Sequence, residues 1–480
     1  MNQHSVPLLE AAQRYLDIDH APFYMPGHKR GQGIDRRFAA LMGETIFRLD
    51  LPELPELEAA VANAETLAAQ AYGSDRAWFL TNGSTCGIQA MLLAICGATC
   101  GQGDKVLIGR NCHKAAIAAL VLTGATPIYL PTDYLLEFDL DLGVSPETLE
   151  LFLQKHPDAK AVMLVSPNYF GVCGEIEKLV TIAHSFNVPL LVDAAHGAHL
   201  GFHPDLPISA LQAGADLVVQ STHKVAGSLT QSSILHLQGD RIASEQVDRA
   251  LQILRSSSPN LLLLISLDVA RRQMAIEGKK LLTETLRLAT EARSRLCQIP
   301  NLRTFDQIAV PTLDPTRLTV MVERMGMTGF AADVWLHSQL DVMAEMPTLS
   351  QLVFIFSLGN TQNDIDRLIY GFQQIGKEKG KREREKLVPI TNYQLPITIP
   401  KSHLTPRAAY FAKSDRIPFN QAIGRISAES LCPYPPGIPL LCIGEEITLE
   451  VVEMLQCILR SGGIINGASD DSLETIRVVN

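Results

Sequence analysis

The stretch "DLVVQSTHKVAG", residues 216–227, joins an apolar run of strand length to a polar turn that carries one lysine. A strand at 217–220 would be buried, and Lys224 stands just beyond its end. Most lysines are solvated surface residues, and that is the first interpretation of Lys224. The end of a buried strand is also a position where a lysine amine can act as a nucleophile and form a covalent bond. The rest of the chain decides between the two.

Similar apolar runs recur along the first half of the chain, and helical segments such as 86–98 and 176–186 separate most of them. Continuous apolar strands that alternate with helices are typical of a mostly parallel sheet covered on both faces. We therefore predict an α/β fold with a mostly parallel seven-stranded sheet, its strands at 77–80, 105–108, 127–130, 161–165, 189–192, 217–220 and 233–236.

The chain has 480 residues, more than one core usually organises. Residues 1–57 are rich in Pro and Gly and are expected to form an N-terminal arm, followed by a large ligand-binding domain at 58–300. The alternation of strand-like and helix-like segments changes after residue 300, which predicts a small α+β domain at 301–375. The charge run at 376–387 is typical of a solvated linker, which leaves 388–480 as a C-terminal α+β domain.

The composition excludes several classes of protein. Lys and Arg number 41 against 51 Asp and Glu, a net charge of −10, which argues against a nucleic-acid partner and favours cationic small ligands. No apolar run approaches the ~20 residues that a membrane span needs. Nine scattered cysteines without a CxxC pair indicate reduced thiols rather than a zinc site. We expect a cytoplasmic protein with no metal, nucleic-acid or membrane partner.

Polar residues gather where five of the predicted strands end. The segments that follow these strands are "TNGSTCG", "GRNCHKA", "SPNYFG", "DAAHGAH" and "STHK". In parallel α/β sheets, ligands bind beyond the carboxyl ends of the strands. Each segment alone is an ordinary turn, but their agreement in position indicates one shared site.

Two of these segments have a specific chemical interpretation and an ordinary one. Gly83, Ser84 and Thr85 open a predicted helix, where free N–H groups and hydroxyls would bind an anion, although a simple N-cap is the commoner meaning. Asp193 ends an apolar strand, where an unpaired carboxylate is costly. It needs a cationic partner, and Lys224 lies one crossover later; a structural ion pair is the alternative.

One cofactor uses all of these parts. Pyridoxal 5'-phosphate needs a lysine amine for a Schiff base and a carboxylate against its pyridine nitrogen. It also needs an anion site for its phosphate and a flat group beside its ring. A free lysine has a pKa of ~10.4, so its amine must be tuned to react at neutral pH. The predicted site at the strand ends would supply each of these groups.

Eight ordered motifs carry a family resemblance from about residue 20 to about 450. They are "FYMPGHKRGQG", "RLDLPELPEL", "WFLTNGSTCGIQA", "RNCHKA", "SPNYFGVCG", "VDAAHGAH", "STHKVAGSLTQSSILH" and "CPYPPGIPLL". Together they resemble the ornithine/lysine/arginine decarboxylases, pyridoxal-phosphate enzymes on the aspartate-aminotransferase fold, fold type I. The length is similar to that of the compact members, which lack an N-terminal receiver-like domain.

The resemblance implies the reaction and the catalytic residues. The chain would decarboxylate a basic amino acid, arginine ahead of lysine or ornithine, to CO2 and an amine that feeds polyamine synthesis. Lys224 would form the Schiff base, Asp193 would pair with the pyridinium nitrogen, and His113 would stack on the ring. Lys224 or His223 would return a proton to Cα.

The resemblance also implies the binding residues. The phosphate would be held by Ser84, Thr85 and Ser221 near the amide of Gly83, while His196 and His223 would line the pocket. The segment "SSSPN", with Ser258, would reach a neighbouring subunit's site in a homodimer or higher homo-oligomer. The distal cation of the substrate would meet an acid, with Glu445 in "LCIGEEIT" ahead of Glu345 in "AEMPTLS".

Two departures from the family pattern concern the substrate pocket. Ala194 stands where members commonly have Glu or Ser, and "PNLLLL" leaves no Tyr close after the Ser-Pro pair. Other functions therefore stay open: an aminotransferase or an aldolase-type lyase on the same fold, or a non-catalytic cofactor-binding regulator. The products separate the enzymes, and the presence of Lys224, Asp193 and His113 argues against the regulator.

Overall fold

The structure is a computed structural model that describes residues 1–16, 18, 21–51, 56–96, 103–310, 312–378, 398–434 and 437–480. The expected linker at 376–387 lies outside the described residues from 379 onward.

Strands make up one large sheet and several small ones. In chain order they are β1 Arg76–Leu80, β2 Lys105–Gly109, β3 Thr126–Leu130, β4 Asp133–Leu135, β5 Leu140–Gly143, β6 Ala161–Val165, β7 Leu190–Asp193, β8 Leu217–Gln220, β9 Ser233–Leu237, β10 Arg303–Thr304, β11 Arg317–Met321, β12 Met346–Pro347, β13 Gln351–Ile355, β14 Ser414–Pro418, β15 Cys432–Tyr434, β16 Ile464–Asn466 and β17 Thr475–Val479.

Helices connect and cover these strands. They are α1 Pro7–Leu16, α2 Arg36–Met42, α3 Glu44–Leu49, α4 Leu57–Tyr72, α5 Gly83–Cys96, α6 Lys114–Thr123, α7 Pro146–Lys155, α8 Ile176–Ser185, α9 Ser244–Leu254, α10 Leu261–Leu296, α11 Gly329–Leu340, α12 Gln362–Glu378, α13 Pro406–Phe411 and α14 Leu449–Arg460. No helix within the described ranges is long and apolar enough to cross a membrane.

The large sheet has the strand order β1-β9-β8-β7-β6-β2-β3. Strands β3, β2, β6, β7 and β8 pair in parallel, and β9 runs antiparallel to both β1 and β8. The prediction of a mostly parallel seven-stranded sheet is confirmed. The parallel register brings the ends of β6, β7 and β8 to one edge, with Asp193 opposite Val165 on one side and Val219 on the other.

Both faces of this sheet are covered, which explains why its strands are mostly apolar. On β8, Val218 belongs to one core with α1, α4, α8 and α10, whereas Leu217 and Val219 belong to a second core with α5, α6 and α9. Alternate residues of a strand point to opposite faces, so each strand supplies both cores. Helix α4 ends at Gly73, whose φ of +78° suits glycine in the left-handed region.

Two smaller units follow the large one. An antiparallel sheet, β10-β11-β13-β12, packs on α11 and α12 around its own apolar core. In the C-terminal unit, the ribbons β14-β17 and β15-β16 pack with α14 around another core. The expected small and C-terminal α+β units are present; the boundaries assigned to them from the sequence stay a prediction.

The first helix is tied to the large unit. Leu8 and Ala12 of α1 are buried in its core. Arg271 of α10 is fully buried and donates hydrogen bonds to the carbonyl oxygens of Gln3 (2.9 Å) and Ser5 (2.7 Å). Beyond α1, Phe23, Met25 and Leu41 are exposed, so the segment expected to be an arm presents large apolar side chains to solvent.

Candidate active site

A small cavity lies beyond the carboxyl ends of β6, β7 and β8. Five residues chosen from the sequence line it together, although they are far apart in the chain. The lining consists of Ser84, Asn111, His113, Val165, Pro167, Tyr169, Asp193, Ala195, His196 and Lys224. The strand-end argument thus leads to one place in the structure.

Lys224 lies at the end of a short turn after β8, with its amine inside the cavity. Its Nζ is 3.0 Å from His196 Nε2 and 5.5 Å from the centre of the Tyr169 ring. Burial lowers the pKa of this amine, while the carboxylates of Asp193 and Glu345 oppose that shift. A buried amine with a lowered pKa has the property that a nucleophilic lysine needs at neutral pH.

Asp193 closes β7 and faces the same space. Only 5% of the residue is exposed, and its Oδ1 accepts a hydrogen bond from the amide of Ala195 at 3.1 Å. Burial raises the pKa of this carboxyl, and the Lys224 charge lowers it. A carboxylate buried at a cavity wall needs a cationic partner inside that cavity.

The start of α5 forms the anion side of the cavity. The helix begins at Gly83, whose φ is +76°, and the hydroxyl of Ser221 donates to Ser84 Oγ at 2.8 Å. Helix N-termini offer free N–H groups and a partial positive charge to anions. Thr85 is exposed in the first turn of the same helix, outside the residues that line the cavity.

His113 stands at the N-terminus of α6 and caps it. Its Nδ1 accepts a hydrogen bond from the amide of Ala115 at 3.2 Å, so a neutral ring carries its proton on Nε2. Burial, then the charges of Lys224 and Lys114, lower the pKa of this imidazole to about 4. The ring is therefore an uncharged flat group at neutral pH, a shape that can stack on an aromatic ring.

The side chain of His223 does not line the cavity, although the resemblance implied that it would. Its Nδ1 donates to the carbonyl oxygen of Ser232 at 2.7 Å, and the side chain is absent from the cavity lining. Burial lowers the pKa of this imidazole. Although it is the sequence neighbour of Lys224, His223 supports the turn at Ser232 from this position.

Glu445 is engaged in a buried ion pair. Its Oε2 accepts from Arg110 at 3.1 Å and from the amide of Cys442 at 2.6 Å, and only 1% of its side chain is exposed. The same guanidinium donates to the carbonyl oxygens of Pro439 (2.6 Å) and Leu440 (3.1 Å). The expected contact of Glu445 with substrate is therefore not supported by the structure: this acid ties the C-terminal unit to the loop after β2.

Glu345 and Ser258 lie outside the lining of the cavity. Ser258 sits on an exposed turn between α9 and α10, away from the site of its own chain. Glu345 is an exposed residue just before β12. Burial lowers the pKa of Lys224 and raises that of Tyr169; the charges of Asp193 and Glu345 oppose the first shift and add to the second. Of the two acids proposed from the sequence, only Glu445 has an ion-pair partner among the described residues.

The sequence argument missed three residues of the site. Tyr169 packs on His196, with ring centres 4.6 Å apart, and Asn111 donates to Asp141 at 3.0 Å. Both stand in strand-end segments already singled out, which is a signal that could have found them. Arg317 begins β11, is fully buried and contacts His196; nothing in its sequence context marks it.

Comparison with known proteins identifies the family. The family model for the Orn/Lys/Arg decarboxylase major domain matches residues 6–321, and the model for the C-terminal domain of the same family matches residues 392–464. The chain belongs to the Orn/Lys/Arg decarboxylase family. The eight motifs predicted this membership, and the prediction of a decarboxylase is confirmed.

Relatives in this family match over the whole chain. An arginine decarboxylase of Bacillus subtilis is 37% identical over 493 residues, covering 100% of this chain and 99% of the relative. An arginine decarboxylase of Bacillus anthracis is 34% identical, with coverages of 100% and 98%. The solved lysine decarboxylase LdcF of Francisella novicida, 22% identical, superimposes with a TM-score of 0.84 over 99% of this chain and 81% of that chain. The last likeness shows the fold.

Membership of the Orn/Lys/Arg decarboxylase family implies pyridoxal 5'-phosphate as cofactor, and the cavity fits that group. It presents an amine, a buried carboxylate, a helix N-terminus with two hydroxyls and a neutral imidazole. These are the groups that the cofactor needs against its aldehyde, ring nitrogen, phosphate and ring face. Across the described part of the chain, no group of three or more His, Cys, Asp or Glu side chains is placed to hold a metal ion.

Proposed function

We propose that this decarboxylase removes the α-carboxylate of arginine as CO2 and uses pyridoxal 5'-phosphate to do so. The observation that carries the proposal is the buried cavity in which the Lys224 amine and the Asp193 carboxylate lie together beside the N-terminus of α5. The choice of arginine follows the relatives that match over the full chain, which are named arginine decarboxylases.

Each part of the cofactor has its residues in this proposal. Lys224 holds the aldehyde carbon, Asp193 keeps the ring nitrogen protonated, and His113 lies against the ring. When bound, the cofactor supplies the sink for the electrons left on Cα as CO2 departs. The phosphate is held at the start of α5 by the amide of Gly83 and the hydroxyls of Ser84 and Ser221, whereas Thr85 is exposed outside the lining.

The proton that replaces CO2 on Cα comes from Lys224 in this proposal. Its amine projects into the cavity, whereas His223 is bonded to the carbonyl oxygen of Ser232 and is absent from the lining. A proton donor must come within hydrogen-bond reach of the atom that it protonates. The geometry therefore favours Lys224 over its neighbour.

We further propose that Glu345 binds the distal cation of the substrate. Its carboxylate is exposed, and its charge raises the pKa of Lys224 against burial, so it can attract a cation toward that lysine. Glu445 is neutralised by Arg110 and buried. A guanidinium binds a free carboxylate through two parallel hydrogen bonds, which also favours arginine over lysine.

A matched pair of variants tests this assignment. Glu345→Gln should raise the KM for arginine by about 10-fold or more, the loss expected for a charge-assisted hydrogen bond, and should leave the KM for uncharged norleucine within twofold. Glu445→Gln should affect both substrates alike, because Glu445 holds Arg110. An equal effect of Glu345→Gln on the two KM values would show that Glu345 does not bind the distal cation of the substrate.

Oligomerisation is part of the proposal. Phe23 is 95% exposed and Leu41 is 79% exposed, so the segment after α1 presents large apolar side chains that an interface could cover. A second copy of the chain is the proposed cover, and Ser258 on its exposed turn would then approach the partner's cavity. Sedimentation should show a dimer or larger assembly; an active monomer refutes this part. The proposed location is the cytoplasm.

The products decide the reaction. Purified protein with pyridoxal 5'-phosphate is incubated in turn with arginine, lysine and ornithine, and CO2, diamine or agmatine, and keto acid are measured. We expect stoichiometric CO2 and agmatine, with the highest kcat/KM for arginine. A keto acid without CO2 would mark a transaminase, and a clear preference for lysine or ornithine would overturn the substrate assignment.

A further inference from the structure

His196 connects Lys224 to a buried arginine of the small unit. On one side, its Nε2 lies 3.0 Å from Lys224 Nζ. On the other side, Arg317 Nη2 lies 3.4 Å from His196 Nδ1. The same nitrogen donates a hydrogen bond to the His196 carbonyl oxygen at 3.2 Å. The imidazole thus stands between two cationic side chains from different units, and Tyr169 covers its face.

The arginine side determines which ring nitrogen carries the proton. A guanidinium has N–H donors and no acceptor, so the nitrogen that it approaches must offer a lone pair. In a neutral imidazole, a lone pair on Nδ1 leaves the proton on Nε2. An ammonium has no lone pair to accept that proton, whereas a neutral amine does. We propose that Arg317 fixes His196 as the Nε2–H tautomer and that this N–H donates a hydrogen bond to a neutral Lys224 amine.

The charges around this pair are compatible with a neutral imidazole. His196 is buried, and burial, followed by the charges of Lys224, Arg317, His113 and His199, lowers its pKa well below the ordinary value. A doubly protonated ring would stand directly against the Arg317 guanidinium in a buried contact, which is costly.

Charges of both signs face the amine itself. Asp193 from β7 and Glu345 from the segment before β12 favour the ammonium form, and burial and Arg317 from β11 oppose it. The two carboxylates favour the ammonium form, but the Nε2–H of His196 gives the neutral amine a hydrogen bond that the ammonium cannot accept. His196 is thus a catalytic residue by contact, and Arg317 is a positioning residue.

Arg317 itself is held rigidly. It is fully buried, its NH1 donates to Thr316 Oγ1 at 3.2 Å, and Asp314 lies 3.8 Å from it. Asp314 is in turn within 3.0 Å of His199 Nε2, and that imidazole and the guanidinium lower the pKa of the carboxyl against its burial. A guanidinium fixed in this way keeps its Nη2 against the ring Nδ1 and the carbonyl oxygen of His196.

The consequence is a lysine ready to react before any ligand arrives. A neutral amine has the lone pair that adds to an aldehyde carbon, with water as the second product, whereas an ammonium must first lose a proton. The inference rests on the proposed function only in taking Lys224 as the lysine that binds the cofactor. Its tests read the protonation of Lys224 and His196 directly.

Two arginine variants separate the tautomer from the charge. Arg317→Met removes the charge and the N–H donors, while Arg317→Gln removes the same charge and keeps an N–H donor. The cofactor-free full-length chain is acetylated over a range of pH, and the label on Lys224 is quantified by mass spectrometry to give its neutral fraction. At a given pH we expect this fraction to be about five- to tenfold lower in the Met variant than in the Gln variant. Equal fractions would overturn the proposal.

Nitrogen chemical shifts give a second, independent measurement. Protein labelled with ¹⁵N-histidine and assigned against His196→Asn should show a pyrrole-type Nε2 and a pyridine-type Nδ1 for His196, and Arg317→Met should remove this preference. The opposite tautomer in the wild-type chain would contradict the inference. Borohydride mapping of the cofactor to Lys224 is unaffected by either result, so the proposed function stands or falls separately. Circular dichroism confirms that each variant is folded.

Discussion

Close packing of α5 on the phosphate side of the cavity predicts that a substitution at Gly87 weakens cofactor binding. A Cβ at this position of α5 would lie 2.4 Å from Val219 Cγ2 and 3.0 Å from Leu80 Cδ1. Ordinary carbon contacts are about 3.5–4.0 Å, and Val219 is a stiff β-branched side chain on buried β8. Gly87→Ala therefore forces the start of α5 away from β8 by about 1 Å.

That displacement acts on the anion site one turn away. The Ser221–Ser84 hydroxyl contact of 2.8 Å would lengthen to about 3.8 Å, beyond hydrogen-bond distance. The same displacement would take the Ser84 hydroxyl out of hydrogen-bond reach of a bound phosphate. Losing a hydrogen bond to a charged phosphate costs about 1.5–3 kcal/mol, which corresponds to about a 13- to 160-fold rise in the Kd of pyridoxal 5'-phosphate. Overpacking costs about 1–3 kcal/mol of stability, offset by about 1 kcal/mol of better helix propensity.

Absorbance titration of the cofactor-free chain with pyridoxal 5'-phosphate measures this Kd. The double variant Gly87→Ala with Val219→Ala restores the space for the new methyl group, so it should recover most of the affinity. The reasoning is refuted if Gly87→Ala alone binds the cofactor as tightly as the wild type does, or if the double variant binds no better than the single one.

Two further predictions address the carboxylate and the buried histidines. Asp193→Asn should lower kcat by about 100-fold or more, because it removes a fixed charge at the reacting centre; a rate within threefold of the wild type would count against the mechanism. Burial lowers the pKa of His236 from 6.5 to about 3. The unfolded chain therefore binds one more proton than the folded chain between these values, and the free energy of unfolding should decrease as the pH falls from about 6.5 towards 3. His236→Gln should show a shallower pH dependence in urea unfolding, and an unchanged slope would refute the assignment.

Local signals in the sequence were enough for much of the fold and for part of the site. Apolar runs of four or five residues located all seven strands of the large sheet, because strands buried on both faces cannot alternate with polar residues. The parallel arrangement then predicted that Asp193 and Lys224 meet at one edge, and both line the cavity.

The remaining features depend on contacts between distant segments. Glu445 and Arg110 are 335 residues apart, so the sequence could not show that this acid is already neutralised. Arg317 reaches His196 across 121 residues, from a sheet whose position relative to the large unit no pattern specifies. His223 adjoins Lys224 in sequence, but the single turn at Thr222–Lys224 directs its ring to the carbonyl oxygen of Ser232.

The position of the cofactor is the central claim, and one measurement tests it directly. The protein is incubated with pyridoxal 5'-phosphate, reduced with borohydride, digested and mapped by mass spectrometry. We expect the phosphopyridoxyl group on Lys224, and we expect Lys224→Ala to lose the label and the activity while its circular dichroism is unchanged. A label on another lysine, such as Lys114 at the start of α6, would contradict the account.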